Sequence, residues 1–362
     1  MKVLTVAGTR PELIRLSRLI PLLDEQADHI FVHTGQNVGT DLRDQFFDEL
    51  TIRAPDRQLS LPDASSGHRV AAVLAATDDI LAGEQPDRLV ILGDTDSGLA
   101  AYVAARRGIP VFHLEAGNRA YDPRVPEEIN RRVIDHVSTV LMPYTRSSAA
   151  NLAAEGFAAH RVVVIGNPIG EVLAHHRAQI DASAAVERLG LPDRFMLATV
   201  HRAETTDEPE VLRAVIAALA TVGAELDAPI VFPVHPRTAQ HLAALGLVLD
   251  PDRFRTTPPL GLFDFVHLEG RARLVLTDSG TVQEETALLG IPTVLVRDVT
   301  ERPELLACGA VLLGGRTEGT IVDAARRMLR DGPSGDVPEE YRIPDVAARA
   351  AAVVLGPIPE GP

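Results

Sequence analysis

A single cysteine, Cys308, stands among 362 residues, and tryptophan is absent. One thiol excludes an intrachain disulfide and a zinc site built on cysteine. Aromatic residues make up 4% of the chain, so alanine, valine and leucine have to fill the core. Basic residues are outnumbered by acidic ones, 35 to 50, for a net charge of −15. That excess is wrong for a general nucleic-acid binder, which needs clustered Lys and Arg against a phosphate backbone. It leaves room for a local basic pocket around a small phosphorylated ligand. No apolar run reaches the roughly 18 residues needed to span a bilayer. The opening MKVLTVAGTR has too short an apolar stretch for a secretory core and lacks a cleavage site. The expected location is the cytoplasm, with no membrane partner.

What the chain does have is alternation. At 46% hydrophobic and 23% charged, it suits a folded protein of about two domains. Short apolar runs at Val3–Ala7, His29–Thr34, Arg88–Leu92, Pro110–Leu114, Val140–Met142 and Val162–Ile165 read as strands. Helical patterns such as Leu13–Leu23, Gly67–Leu81 and Gly98–Arg107 separate most of them. A second series reads Phe195–Val200, Ile230–Val234, Phe254–Thr256, Leu274–Thr277, Thr293–Val296 and Ala310–Leu313, with helices at Glu208–Leu226 and Thr317–Leu329. Strands alternating with helices predict an α/β fold of parallel, doubly wound sheets. The join falls near Pro168–Leu191, giving an N-terminal Rossmann-like domain over 1–170 and a second over 171–343. The Ala-rich helix Pro344–Val354 is expected to pack back on the first half. No internal repeat is visible by eye, and Gly356–Pro362 reads as a frayed tail.

Ligands of open α/β sheets bind beyond the carboxyl ends of the strands, and that is where the polar residues gather. Gly8-Thr9-Arg10-Pro11-Glu12 follows the first strand. It reads either as an anion-binding helix start or as a plain turn with Arg10 paired to Glu12. Gly93-Asp94-Thr95-Asp96-Ser97 follows another strand; Asp96 fits the helix cap, which leaves Asp94 for another task. His113-Leu114-Glu115-Ala116-Gly117-Asn118-Arg119 and then Pro126-Glu127-Glu128 put Glu115 at a strand end, where a buried carboxylate needs a purpose. Glu128 suits a helix start. Asp94, Glu115 and Glu127 converge from adjacent loops, and close carboxylates raise one another's pKa, as general acids and bases require. His201 and His235 end two further strands, without metal-ligand spacing. Ser279-Gly280 at a helix start reads as a diphosphate cradle, with Glu284 or Glu285 placed for ribose hydroxyls.

Taken in order, GTRPE, HTGQ, GDTDS, HLEAGNR with RVPEEINR, TVHRAE, PVHPRT, TDSGTVQEE and RDVTERPE resemble the serial motifs of the non-hydrolysing UDP-N-acetylglucosamine 2-epimerases, over residues 8 to 304. The resemblance implies a GT-B fold: two Rossmann-like domains facing a central cleft, the last helix returning to the first domain. It also implies cofactor-free inversion at C2 of a UDP-N-acetylhexosamine. UDP leaves by elimination to a 2-acetamidoglucal and adds back. By motif, Asp94, Glu115 and Glu127 match the family's catalytic carboxylates and His201 its catalytic histidine. Arg10, Ser279, Gly280 and Glu285 match nucleotide contacts, Phe265 an aromatic residue near the uracil, and His235 a neighbour of the nucleotide. Arg15, Thr281 and Arg302 fall in the same substrate-binding motifs. No metal is implied, and the partner expected besides the UDP-sugar is a second copy of the chain.

Some residues depart from the family pattern. Thr281 stands where TDSGG is common, HRAET where HRREN is, and Arg15 where Lys is frequent. Asn118, the RVPEEINR stretch and RLSR with HTGQN resemble a subset acting on a 6-deoxy-L-sugar to form UDP-N-acetyl-L-fucosamine. Asn37 and Gly39 depart from the pattern around TGQ that accompanies allosteric activation in some relatives. A hydrolysing relative, a GT-B glycosyltransferase and a non-catalytic UDP-sugar-binding module are the competing classes. The carboxylate trio in the first half favours the epimerase over the transferase.

Overall fold

The computed structural model describes residues 1–36, 46–62 and 64–359. Asn37, Gly39 and the last three residues of the tail lie outside them. The chain divides into two compact units. One comprises Met1–Ala174 with Glu339–Pro362, and the other His175–Pro338.

The first unit is built on six parallel strands, β1 (Lys2–Ala7), β2 (Asp28–His33), β3 (Arg57–Gln58), β4 (Arg88–Leu92), β5 (Val111–Leu114) and β6 (Val140–Met142), in the order β3-β2-β1-β4-β5-β6. The second carries β7 (Met196–Thr199), β8 (Ile230–Pro233), β9 (Phe254–Thr257), β10 (Leu274–Thr277), β11 (Thr293–Leu295) and β12 (Leu312–Leu313), in the order β12-β11-β10-β7-β8-β9. Each sheet winds out from its first strand, crosses back and winds out the other way. The topological switch points lie between β1 and β4 and between β7 and β10, where such sheets bind ligands. Every residue of β4 and β8 is buried, because helices cover both faces of a parallel sheet. The cores are aliphatic, with Leu4, Val6, Leu89, Ile91 and Ile134 in the first and Leu212, Val215, Leu219, Leu274 and Ile321 in the second.

Two expectations need correction, and one strand was not expected. The pattern Leu13–Leu23 forms two helices, Arg10–Leu16 and Leu19–Gln26, because the Ser17 hydroxyl turns back onto the Ile14 carbonyl (2.7 Å) and competes with the helix ladder. Val162–Ile165 is not a strand; it makes one bridge, Val162 opposite Leu141. Pro143, next after β6, has no N–H to extend the ladder. The two-residue β3 escaped notice, since both its residues are polar and exposed. The last helix, Val346–Leu355, packs on Leu19–Gln26 within the first unit. Arg88 donates to the Val354 carbonyl and the Ala347 amide donates to Glu171 (2.8 Å).

Candidate active site

In the first unit the site grows from the ends of β1, β4 and β5. Glu12 is buried on the helix after β1, and one of its oxygens accepts from the amides of Gly8 (2.6 Å) and Thr9 (2.8 Å). Its other oxygen accepts from the Thr95 hydroxyl (2.6 Å), so the two turns at the switch point are tied together. Burial pushes the Glu12 carboxyl above its usual range, against these hydrogen bonds. Glutamine fits the same three partners, its oxygen on the two amides and its N–H on the Thr95 oxygen. Glu12→Gln is therefore expected to keep stability within about 1 kcal/mol, whereas Glu12→Ala strands buried donors and costs about 1–3 kcal/mol in urea unfolding. Equal losses in the two variants would contradict this account. Gly8 cannot carry a Cβ, which would run into the hydrogen-bonded Thr34 and Ser97 hydroxyls. Thr95, not Asp96, occupies the cap position, and Asp96 opens the short helix behind it. Arg10 lies over the Phe46 ring, 4.3 Å from its centre.

Asp94 and Glu115 arise from adjacent strands, β4 and β5. Glu115 is 4% exposed with φ at +70°, a left-handed conformation that a non-glycine residue holds only under constraint. Of the three carboxylates expected to converge, Asp94 and Glu115 are brought together around one cation. Asp94 pairs with Arg131, whose guanidinium also stands 3.8 Å from Glu115, while Arg15 approaches Glu115 from the other side (3.7 Å). Buried arginines thus stand against the carboxylates, so the mutual repulsion expected from bare neighbours is countered by cations. Glu127 is half-buried in the first turn of Pro126–Val137, one turn before Arg131 on the same face. It makes no side-chain hydrogen bond or ion pair among the described residues. Glu128 is the buried acid of the pair, accepting from the Ala120 amide (2.9 Å) and Arg132 (3.0 Å).

The second unit's site lies at the ends of β7, β8 and β10. His201 and His235 face each other with ring centres 5.8 Å apart, as neighbouring strands β7 and β8 require. Asp278, fully buried after β10, accepts from the amides of His201 (3.0 Å) and Arg202 (2.9 Å) and lies 3.1 Å from His201 Nδ1. Burial alone would raise its pKa. The charge and hydrogen bond of His201, with the two amides, hold it down at about 2. The Ser279 hydroxyl accepts from the amides of Thr281 (3.3 Å) and Val282 (3.5 Å), capping its own helix, Val282–Leu289. The Arg202 guanidinium overlies Gly280, close enough to touch any Cβ placed there (3.3 Å). Arg202 belongs to a network with Glu301 (3.4 Å), which forms a two-pronged pair with Arg297 (3.1 and 3.0 Å). Glu284, one of the two acids read for ribose, pairs with the buried Arg302. Glu285 is buried beside it in the same helix. Phe265 is packed in the core with Phe195, Leu197 and Val231.

Among the described residues, no group of three or more His, Cys, Asp or Glu is arranged to hold a metal. None of the described helices is long and apolar enough to cross a membrane. Arg119, Arg131, Asp135 and Asp278 are buried charges beside these residues that the sequence pattern does not single out.

The family profile described as UDP-N-acetylglucosamine 2-epimerase matches residues 22–355. The chain belongs to the UDP-N-acetylglucosamine 2-epimerase family. The UDP-2,3-diacetamido-2,3-dideoxy-D-glucuronate 2-epimerase of Pseudomonas aeruginosa is 39% identical over 334 residues, covering 91% of this chain and 92% of that one. The UDP-N-acetylglucosamine 2-epimerase of Methanococcus maripaludis is 32% identical, covering 92% and 95%. Among solved structures, the UDP-GlcNAc 2-epimerase of Methanocaldococcus jannaschii, in complex with UDP-GlcNAc and UDP, superposes with a TM-score of 0.93 at 32% identity, over 98% of this chain and 99% of that one. This epimerase therefore has the GT-B fold, and its class of activity is that of a UDP-sugar 2-epimerase, an isomerase.

Proposed function

We propose that this epimerase inverts C2 of a UDP-activated 2-acetamido sugar by elimination and re-addition, UDP-N-acetylglucosamine and its manno epimer being the leading pair. The carboxylates of the first unit act on the sugar and the turns of the second hold the nucleotide. A carboxylate takes the C2 proton, the C1–O bond breaks, and UDP leaves with the bonding pair as a 2-acetamidoglucal forms. A proton then returns to C2 on the opposite face and the UDP oxygen adds back at C1, so atoms and charge balance without a redox cofactor. The observation that carries this reading is the pair Asp94 and Glu115, set on adjacent strand ends around Arg131. It supplies carboxylates in a low-water setting with cations beside them. Arg10, His201 and the turn at Ser279 are suited to the charge that develops on departing UDP.

One observation favours a second substrate. The Pseudomonas relative at 39% identity is named for a 2,3-diacetamido uronate, and that sugar undergoes the same inversion at C2. Proton NMR in D2O separates the cases. Deuterium at C2 with formation of the 2-epimer, from UDP-GlcNAc or from the UDP-2,3-diacetamido-glucuronate, establishes the reaction and names the sugar. The UDP-6-deoxy-L-talose derivative tests the L-fucosamine subset in the same tube. Free UDP with free sugar identifies a hydrolysing enzyme, and no exchange with any of the three overturns the reading. Ser279→Ala is expected to weaken UDP binding about tenfold, or about 1.4 kcal/mol, by calorimetry. Unchanged affinity would remove the Ser279 hydroxyl from the phosphate contacts.

A further inference from the structure

The reaction as drawn leaves unused a set of buried charged groups that joins the two carboxylate turns. His113, in the middle of β5, is fully buried. Its Nδ1 lies 2.8 Å from Asp135 Oδ1 and its Nε2 lies 2.8 Å from the Gly93 carbonyl oxygen. A carbonyl has no proton to give. Asp135 has none either: the Arg119 guanidinium lies 2.7 Å from its other oxygen and favours the ionised carboxylate. Both ring nitrogens of His113 therefore face acceptors, and each has to donate.

Asp135 continues the chain. Its other oxygen accepts from the Gly117 amide (3.2 Å) and pairs with Arg119 (2.7 Å). Arg119 donates to the Asn118 carbonyl (2.8 Å) and through two nitrogens to Glu155 (2.7 Å each). The Asn118 carbonyl also accepts from Arg131 (3.3 Å), the cation shared by Asp94 and Glu115. Gly93 immediately precedes Asp94, and Gly117 follows Glu115 by two residues. Both glycines have positive φ, as does Glu115 between them in sequence. These turns sit in conformations that need to be held, and the His113–Asp135 pair reaches both.

We propose that His113, carrying a proton on each ring nitrogen, is a positioning residue that fixes the Asp94 and Glu115 turns in register through the Gly93 carbonyl and Asp135. Its kinetic consequence rests on the C2 inversion proposed above; its hydrogen placement does not. The imidazole touches neither carboxylate. It acts on the backbone that carries them, and a shift of about 1 Å in such a group costs about a hundredfold in rate.

The test has two arms. Protein labelled with 15N-histidine is studied by NMR, the His113 ring being assigned by its loss in His113→Gln, or by its displacement in Asp135→Asn where the first variant does not fold. Both ring nitrogens are expected to show one-bond coupling to hydrogen at pH 7. A bare nitrogen would overturn the proposal whatever the substrate. In the second arm, C2 deuterium exchange and UDP binding are compared in wild type, His113→Gln and Asp135→Asn. Turnover is expected to fall about tenfold to a hundredfold, with KM and UDP affinity within threefold of wild type. A merely structural pair would lower thermal stability and leave kcat of the folded protein unchanged, which would also overturn the proposal. Wild type inert towards every UDP-sugar tried would sink the epimerase substrate reading instead, and the NMR arm would still decide the placement of the protons on His113.

Discussion

Glu115→Gln is expected to reduce turnover by about a hundredfold to ten-thousandfold, the range a positioned general acid or base contributes, while UDP affinity stays within about a factor of ten. The substitution keeps the shape of the side chain, so the strained φ of +70° and the packing around it are retained. What it removes is the charge facing Arg15 (3.7 Å) and Arg131 (3.8 Å) and the capacity to take a proton from carbon. Steady-state epimerisation followed by NMR gives kcat, and calorimetry with UDP gives the affinity. A variant with wild-type turnover would take Glu115 out of the proton transfer and leave Asp94 and Glu127 to share it. A variant that loses UDP binding in proportion would mark Glu115 as a structural support. Asp94→Asn is the natural companion, because Asp94 pairs with the same Arg131. The two losses are expected to be non-additive, since residues in one ion-pair network act as a unit.

The strands were legible because parallel sheets buried on both faces read as continuous apolar runs. Leu92 and Leu114 mark the ends of β4 and β5 in the sequence as well as in the structure, so Asp94 and Glu115 were found at strand ends. The matching topology of the two sheets was hidden, for their shared order is a property of pairing and not of composition. The centre of the carboxylate site was hidden for a different reason. The helix Pro126–Val137 buries Glu128, Arg131 and Asp135, while Ile129 and Val133 are 54% and 39% exposed. Ile134 shares the buried face with these charges, so hydrophobic periodicity alone does not mark that face, and the adjacent Arg131 and Arg132 look alike until the helix phase is known. Phe265, which similarity of motif places near a base, sits on Leu262–Arg271 and packs against Phe195, Leu197 and Val231. Asp278 stood in full view within TDSGT, but its task, orienting His201, depends on β10 lying beside β7.

Asp278→Asn is expected to couple a loss of stability at neutral pH to a loss of at least about a hundredfold in turnover. In the native protein one carboxylate oxygen takes the His201 and Arg202 amides and the other faces His201 Nδ1. An ionised carboxylate obliges Nδ1 to donate, which sets the imidazole's hydrogen pattern and orientation. In the asparagine variant the oxygen keeps the two amides, so the NH2 group has to face Nδ1. That nitrogen must then accept, the proton moves to Nε2, and the charge-assisted bond is gone. Turnover falls because the histidine presents the wrong atom, a loss of the size that attends general acid–base residues. The acid dependence supplies an independent check. With its pKa held at about 2, below the ordinary aspartate value of 3.8, Asp278 contributes stability that is complete above the unfolded value and lost as pH falls from there through about 2. Its size is about 2 kcal/mol. Urea unfolding of wild type between pH 5 and pH 2, at constant ionic strength, should therefore show a decline that is shallower in Asp278→Asn by that amount. Parallel stability curves would refute the buried ion pair, and wild-type turnover in the variant would refute the orienting role.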